Sequence, residues 1–121
     1  MAVAVTGIDH VQVAAPPGCE AEARAFYGEL LGLEELPKPA ALAAGGVCWF
    51  RAGGQELHVG VEREFAPARK AHPGFVVEDL DGLRARLAAR GIETTDDGSI
   101  PGVRRFHAAD PFGNRLEFRA L

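Results

Sequence analysis

The sequence predicts an α+β protein in which one unit, a strand, a helix and about three further strands, occurs twice. Three observations support this prediction. Apolar and polar residues alternate with a period of two in "QELHVGV" (55–61), as in a half-buried strand. The segment "DLDGLRARLAARG" (79–91) has the apolar stripe of an amphipathic helix. The order of elements then agrees between the two halves: an offset of 59 residues pairs His58 with Glu117, and one of 62 pairs His10 with His72.

The first half contains one predicted helix between short strands. That helix starts after "PPG" (16–18), carries Phe26 and Leu30 on one face, and ends at Gly32. The "GG" pair at 53–54 predicts a tight hairpin turn. The predicted strands of this half are 7–15, 33–36, 47–52 and 55–61.

The second half repeats this order after a charged segment that contains Pro67. Asp79 is the predicted N-cap of its helix, and Gly91 follows the helix end. The turn "DPFGN" (110–114) precedes the last strand. The predicted strands are 72–79, a short one within 91–102, then 103–110 and 115–121.

Length and composition indicate one domain with a hydrophobic core. The 121 residues divide into module 1 (about 1–62), a linker (about 63–70) and module 2 (about 71–121). The net charge of -4 and the scattered basic residues argue against nucleic-acid binding. Two cysteines without a C-x-x-C pair, no signal-peptide pattern and no long apolar run predict a reduced, cytoplasmic protein that does not enter the membrane.

The repeat makes four potential metal ligands equivalent in pairs: His10, His58, His72 and Glu117. Each lies on the strand face opposite the clearest apolar residues, so packing of the apolar faces under the two helices would direct all four into one concavity. Imidazole and carboxylate donors suit Zn²⁺, Fe²⁺, Ni²⁺, Co²⁺ or Mn²⁺. The alternative is that single histidines on strands are ordinary surface or hydrogen-bonded residues. Because three ligands suffice, His58 is open as a ligand, a base or a bystander.

Four segments resemble the vicinal oxygen chelate superfamily: "GIDHVQV", "FYGELLGLE", "HPGFVVEDLDGLRARLAARGIE" and "RRFHAADPFGNRLEF". That superfamily includes glyoxalase I, extradiol dioxygenases, methylmalonyl-CoA epimerase, fosfomycin-resistance transferases and bleomycin-binding proteins. The resemblance covers essentially the whole chain. It implies two βαβββ modules that form a cupped, barrel-like mixed sheet with helices on the outside, commonly within a homodimer.

The resemblance also implies roles for individual residues. His10 and His72 match the first-strand metal ligands of the two modules, and Glu117 matches the last-strand carboxylate. His58 stands where glyoxalase I and the epimerase usually have glutamate or glutamine, which argues against an isomerase of the glyoxalase I type. The metalloenzymes of this group chelate adjacent oxygens of a substrate, so the implied catalytic residues are Glu117 at the metal, with His58 and Glu56 as candidate bases.

Four further side chains are candidates for substrate binding: Trp49, Arg51, Arg105 and His107. The repeat aligns Phe106 with Phe50, which puts these residues in matching strands of the two halves. The arginines offer charge to an anionic substrate. In the alternative interpretation the arginines are solvated and Trp49 belongs to the core.

The leading hypothesis is a small metal-dependent lyase, isomerase or dioxygenase that acts on an oxygen-rich small molecule. The second is a metal-free protein that binds a drug or metabolite in a dimer cleft, as bleomycin-binding members do. The joint presence of His10, His72 and Glu117 favours the enzyme, because a pure binder does not need all three. A third possibility is a regulatory or sensory protein that retains the metal site.

Overall fold

The computed structural model describes residues 3–121 and confirms the α+β fold of two βαβββ modules. Residues 1 and 2, which the sequence assigns to module 1, lie outside the described part. Module 1 consists of β1 (His10–Ala15), α1 (Glu20–Ala23, continued by a π-helix over Arg24–Leu30), β2 (Glu35–Leu36), a 3₁₀-helix (Ala40–Gly45), β3 (Cys48–Ala52) and β4 (Gln55–Val61). Module 2 consists of β5 (Gly74–Val77), α2 (Leu80–Ala89), β6 (Thr95–Asp96), β7 (Arg105–Ala109) and β8 (Arg115–Ala120).

Each module forms its own four-stranded mixed sheet. The strand orders are β1-β4-β3-β2 and β5-β8-β7-β6. In both sheets the first strand pairs with the last strand in parallel, and the other pairs are antiparallel. This arrangement is compatible with the predicted cupped shape, although over residues 3–121 the two sheets do not close into a barrel.

The strand register defines which residues of the two modules are equivalent. Gln12 pairs with His58, and Gly74 pairs with Glu117, which reproduces the predicted offsets of 62 and 59 residues. Trp49 faces His58, as His107 faces Glu117. Trp49 is therefore equivalent to His107, and the predicted alignment of Phe106 with Phe50 was wrong by two residues. The error arose because the aromatic residues were matched by type, whereas hairpin register sets the true equivalence.

The two helices bury apolar faces that the sequence pattern indicates. The first helix buries Phe26 and Leu30 as predicted, together with Tyr27. Gly32 ends this segment with a φ of 76°, a left-handed conformation that favours glycine. In α2 the carboxylate of Asp79 accepts a hydrogen bond from the backbone N–H of Gly82 at 2.9 Å, which confirms the predicted N-cap.

Buried polar contacts join the two modules. The Tyr27 hydroxyl donates to Asp110 Oδ2 at 2.7 Å, and Asn114 Nδ2 donates to the carbonyl of Ala14 at 2.7 Å. The turn residues of module 2 thus contact the first helix and the first strand of module 1. In the described part of the chain, no helix is long and apolar enough to cross a membrane.

Candidate metal centre

Module 2 brings three potential metal ligands together: His72, His107 and Glu117. One donor atom of each lies within 4.8 Å of the donor atoms of the other two. The sheet explains this geometry. His107 on β7 faces Glu117 on β8, and Glu117 pairs on its other side with Gly74, two residues after His72. The predicted strand 72–79 begins only at Gly74, so His72 precedes β5. The backbone N–H of Glu117 donates to the carbonyl of Pro73 at 3.1 Å, which holds His72 beside Glu117.

Hydrogen bonds fix the orientation of both imidazoles in this cluster. His72 Nδ1 lies 2.8 Å from the carbonyl oxygen of Lys70, and His107 Nε2 lies 3.0 Å from Asp97 Oδ2. A carbonyl and an ionised carboxylate only accept hydrogen bonds, so we assign the proton to each of these nitrogens. Arg115 Nη2 also lies 3.4 Å from His107 Nε2, a longer contact than the one with Asp97. The nitrogens left for another partner are His72 Nε2 and His107 Nδ1. Within residues 3–121, His107 Nδ1 is buried and has no hydrogen-bond partner.

Arg105, a predicted substrate-binding residue, lies inside this cluster. Its Nη1 donates to Glu117 Oε1 at 2.8 Å, and its Nη2 donates to Ser99 Oγ at 2.8 Å. The same Nη2 lies 3.0 Å from Asp97 Oδ2. Arg105 Nε, like His107 Nδ1, is buried without a partner in the described part of the chain. The guanidinium therefore balances two carboxylates at once.

Asp97 and Ser99 are site residues that the sequence interpretation missed. The hydroxyl and backbone N–H of Ser99, followed by His107, hold the pKa of Asp97 well below its usual range. Asp97 is therefore an ionised carboxylate that can accept a hydrogen bond from the N–H of His107 Nε2. The signal was present in "TTDDGS": Thr95 and Asp96 form β6, the neighbour of β7, and Thr95 pairs with His107.

Module 1 holds the other two predicted ligands in a different arrangement. His58 is stacked between two rings: Trp49 at 4.4 Å and 9°, and His10 at 4.2 Å and 14°. Glu56 Oε1 lies 2.9 Å from His58 Nε2, and Asp9 Oδ2 lies 2.9 Å from His10 Nδ1. An imidazole directs its lone pair within the ring plane. Two nearly parallel rings stacked face to face cannot both point lone pairs at one ion.

The predicted residues therefore fall into two clusters. The module 2 cluster contains His72, His107, Glu117 and Arg105. The module 1 stack contains His10, His58 and Trp49, and Glu56 is hydrogen-bonded to His58. His10 pairs with Glu56 across β1 and β4. Arg51 is exposed on β3 and faces Glu56 in the register of the first sheet.

Two cavities lie near the module 2 cluster and the module 1 stack. The larger, of about 880 Å³, lies between the modules and is mainly apolar. Glu56 lines it, but none of the four histidines does. The smaller, of about 430 Å³, is bordered by His72, Gln12 and Arg115, among other residues. Donor chemistry locates the candidate metal centre beside the smaller cavity, although the larger one offers more room for an apolar ligand.

The fold is that of a small protein built from two βαβββ modules. The sequence model of the Glyoxalase/Bleomycin resistance protein/Dioxygenase superfamily matches residues 7–118. The chain belongs to this superfamily, as the resemblance implied. A search of curated proteins gives no match.

Solved structures agree with this assignment. The chain is similar to a glyoxalase family protein from Bacillus anthracis, with 56% sequence identity, a TM-score of 0.94, and coverage of 99% of this chain and 98% of that one. Lactoylglutathione lyase from Agrobacterium tumefaciens is 23% identical with a TM-score of 0.74, over 96% of this chain and 94% of that one. The fosfomycin resistance protein FosX from Listeria monocytogenes is 16% identical with a TM-score of 0.75, over 98% and 95%. The last two establish likeness of fold alone.

Proposed function

We propose that this protein is a glyoxalase-like metalloenzyme, a lyase, isomerase or dioxygenase, that acts on an oxygen-rich small molecule in the cytoplasm. The observation that carries the proposal is the convergence of two imidazoles and a carboxylate, His72, His107 and Glu117, in a member of this superfamily. Two nitrogen donors and one carboxylate suit Zn²⁺, Fe²⁺, Ni²⁺, Co²⁺ or Mn²⁺ and leave coordination positions for a substrate.

The residues present fit such an ion. His72 Nε2 lies 3.3 Å from Glu117 Oε1, which also accepts a hydrogen bond from Arg105 Nη1 at 2.8 Å, so a divalent ion between His72 and Glu117 would share that carboxylate with the guanidinium. The buried His107 Nδ1 has no partner among the described residues, and a buried polar atom without a partner requires an explanation such as an ion. A divalent ion held here would supply Lewis-acid stabilisation of negative charge on substrate oxygens.

The chain's own residues would bind the substrate and move protons. Glu56 and His58 share a hydrogen bond of 2.9 Å, and Glu56 borders the large cavity. These two side chains would therefore transfer protons to and from the substrate. Arg105 would hold Glu117 and Asp97 in position through its guanidinium, and Trp49 offers a flat apolar surface to a substrate. Arg51, exposed on β3, would contact substrate only at the rim.

We also propose that the protein forms a homodimer. In the described part of the chain, β1 and β5 each pair with a strand on one side only. They carry exposed apolar side chains, Val11 at 40% and Val76 at 62%. An open strand edge with apolar neighbours favours pairing with a second chain. Light scattering on the purified protein tests this part, and a monomer at micromolar concentration contradicts it.

The experiment that tests the function begins with protein purified without a histidine tag. Metal content is measured first, followed by thermal stability with each of the five candidate ions. Hemithioacetals, catechols and acyl-CoA epimers are then screened for turnover with the metal-loaded protein. Bound metal near one equivalent per chain and turnover that chelation removes support the proposal. If no divalent ion binds or raises the melting temperature, the metalloenzyme is excluded.

A metal-free binding protein is the second candidate, and the large cavity is the observation that favours it. Apolar side chains from both modules line about 880 Å³, among them Leu33, Leu57 and Phe75. Mainly apolar pockets of this size are typical of small-molecule sites. Tight binding of an apolar drug or metabolite by metal-free protein, without turnover, would favour this function.

A further inference from the structure

The smaller cavity has a positively charged side chain on its wall. Among the described residues that line it, Arg115 is the one arginine or lysine. Arg115 is half-buried at the start of β8 and lies two residues before Glu117, so both side chains project from the same face of the sheet. His72 of the candidate metal centre borders the same cavity. The cavity and the donor cluster are therefore neighbours.

We infer that Arg115 binds the carboxylate of the substrate, so that the smaller cavity is the site of a small monocarboxylic acid. This inference rests on the proposed function, because it names the class of substrate on which the candidate metal centre would act. The arginines that the sequence predicts for an anionic substrate are Arg51 and Arg105, so Arg115 is an addition to them.

The guanidinium of Arg115 has hydrogen-bond donors available. Its contact with another side chain, from Nη2 to His107 Nε2, is 3.4 Å long, beyond the usual range of about 2.7–3.2 Å for such a bond. Arg105 is paired with Glu117 and Asp97, whereas no carboxylate among residues 3–121 forms an ion pair with Arg115. A guanidinium always carries its charge and offers five N–H groups. A carboxylate that accepts two of them in parallel is the partner that fits.

The equivalent position of module 1 shows what Arg115 lacks. In module 1, Glu56 on β4 faces Arg51 on β3, so a carboxylate stands opposite a guanidinium. In module 2, Arg115 on β8 faces Ala109 on β7, so a guanidinium stands opposite a methyl group. Module 2 thus has the charge without its counter-charge, and the short side chain of Ala109 leaves room beside it. A carboxylate from a ligand would supply the missing charge.

Hydrogen bonds hold the walls of the cavity in place around Arg115. The backbone N–H of Arg115 donates to the carbonyl of Ala68 at 2.9 Å. Asn114, which is 2% exposed, accepts from the backbone N–H of Ala68 at 3.1 Å and donates to the carbonyl of Ala14 at 2.7 Å. Asn114 therefore fastens β8, the segment 66–73 and β1 to one another. Walls that are fixed before binding lower the ordering cost of a ligand.

The other lining groups favour a small acid with a single charge. Ala66, Ala68 and Ala71 make part of the wall apolar and short, which suits a short aliphatic chain. The carboxylate of Glu62 lines the same cavity and would repel the second negative charge that a phosphate group carries near neutral pH. Gln12 adds an uncharged amide that can donate or accept a hydrogen bond. The volume of about 430 Å³ is typical of small-molecule sites.

The test uses the full chain after a chelator has removed metal, because a metal ion would itself bind carboxylates. Isobutyrate is the probe, isobutyramide is its neutral counterpart, and inorganic phosphate is the alternative anion. NMR titration of isotope-labelled protein measures each Kd and shows which backbone amides respond. Isobutyrate is expected to shift the amides of 66–73 and of Asn114 and Arg115. It should bind at least about 10-fold more tightly than the other two probes, since neither matches a single positive charge.

Three variants separate Arg115 from the general charge of the protein. Arg115→Gln is expected to raise the Kd for isobutyrate by about 10-fold or more, because the charge-assisted hydrogen bonds are lost. Arg119→Gln removes the same charge from the same strand, outside the lining of the cavity, and should stay within about twofold of wild type, since solvent screens a charge without direct contact. Arg115→Lys keeps the charge without the planar fork and should fall between the two. It replaces Arg115→Gln if circular dichroism shows that the glutamine variant does not fold.

The outcomes also distinguish this inference from the proposed function. If isobutyrate does not bind, or binds Arg115→Gln as tightly as wild type, the inference is overturned, and the proposed function stands wherever wild type holds a divalent ion. Phosphate that binds more tightly than isobutyrate overturns it as well, because the site would then select a doubly charged anion. If wild type binds isobutyrate through Arg115 but holds no divalent ion, the proposed function fails and the carboxylate site stands.

Discussion

The two modules share one backbone frame but use it for different chemistry. At the equivalent positions of β4 and β8 stand His58 and Glu117, and at those of β3 and β7 stand Trp49 and His107. Module 1 packs its aromatic rings into a stack. Module 2 sets imidazoles against carboxylates and a guanidinium. Two facing positions therefore distinguish the stack from the donor cluster: Trp49 and His58 in module 1 stand where His107 and Glu117 stand in module 2.

The difference shows that an internal repeat predicts positions better than it predicts roles. A duplicated frame directs equivalent side chains to equivalent faces of each sheet. Whether a histidine at such a position keeps a nitrogen without a partner then depends on its cross-strand neighbour. Trp49 covers one face of His58, whereas the carboxylate opposite His107 leaves the imidazole an open nitrogen.

Glu117→Gln should reduce metal affinity far more than a substitution at the equivalent position of module 1. The substitution removes the negative charge from the donor cluster, so affinity for Zn²⁺ is expected to fall by about 100-fold or more, equivalent to about 2.7 kcal/mol. His58→Gln, at the equivalent position of module 1, is the matched control and should change affinity by less than about threefold. Chelator competition measures both variants. Equal losses would show that the ion depends on both modules.

Asp97→Asn tests the hydrogen bond that orients His107. Asparagine keeps the shape of the side chain but can present an amide N–H to His107 Nε2, so the ring no longer has a fixed acceptor. The affinity for Zn²⁺ should fall by about 10–100-fold, the range for outer-shell partners. Asp9→Asn is the control, because Asp9 contacts His10 in the same manner at 2.9 Å. An Asp9 effect as large as that of Asp97 would contradict the assignment.

Much of this contrast was accessible from the sequence, and part of it was not. The modules, the β4 bounds of 55–61, and the equivalences of His10 with His72 and of His58 with Glu117 follow from alternation and punctuation. The proximity of His107 to His72 and Glu117 did not, because a single sequence does not give the register across the "DPFGN" turn. Pairing of Trp49 with His58 likewise depends on hairpin register. The division of the four predicted ligands into two clusters depends on tertiary packing, which periodicity does not specify.

Tyr27→Phe tests the contact that holds the modules together. The Tyr27 hydroxyl donates to Asp110 at 2.7 Å in a buried site, and a hydrogen bond to a charged group contributes about 1.5–3 kcal/mol. The free energy of unfolding should fall by that amount in denaturant titrations. Metal affinity should remain near that of wild type, because Asp110 lies outside the module 2 cluster.

The burial of Tyr27 predicts that the stability of the protein depends on pH in the alkaline range. Burial, followed by the charge of Asp110, raises the pKa of Tyr27 well above the ordinary value of 10.0. The folded state therefore favours the protonated phenol, and its contribution to stability is complete below about pH 10 and is lost as pH rises further. Tyr27 is the single tyrosine of the chain, so its ultraviolet absorption reports ionisation directly. Tyr27→Phe should lack this alkaline loss, and a tyrosine that ionises near pH 10 in the folded protein would refute the buried contact.

Removing a ring from the Trp49–His58–His10 stack should give the smallest effect, a modest loss in the free energy of unfolding. An aromatic pair contributes about 0.5–1.5 kcal/mol beyond burial, so His58→Ala, which removes the middle ring, should lower the free energy of unfolding by at least that amount. His10→Ala removes only the outer, partly exposed ring and should cost less. Trp49 is the single tryptophan. Its emission should shift to longer wavelength in His58→Ala, because water replaces the imidazole on its face, and should change little in His10→Ala. Identical spectra for His58→Ala and wild type would show that the stack is not formed in solution, and His10 would then be free to reach a metal.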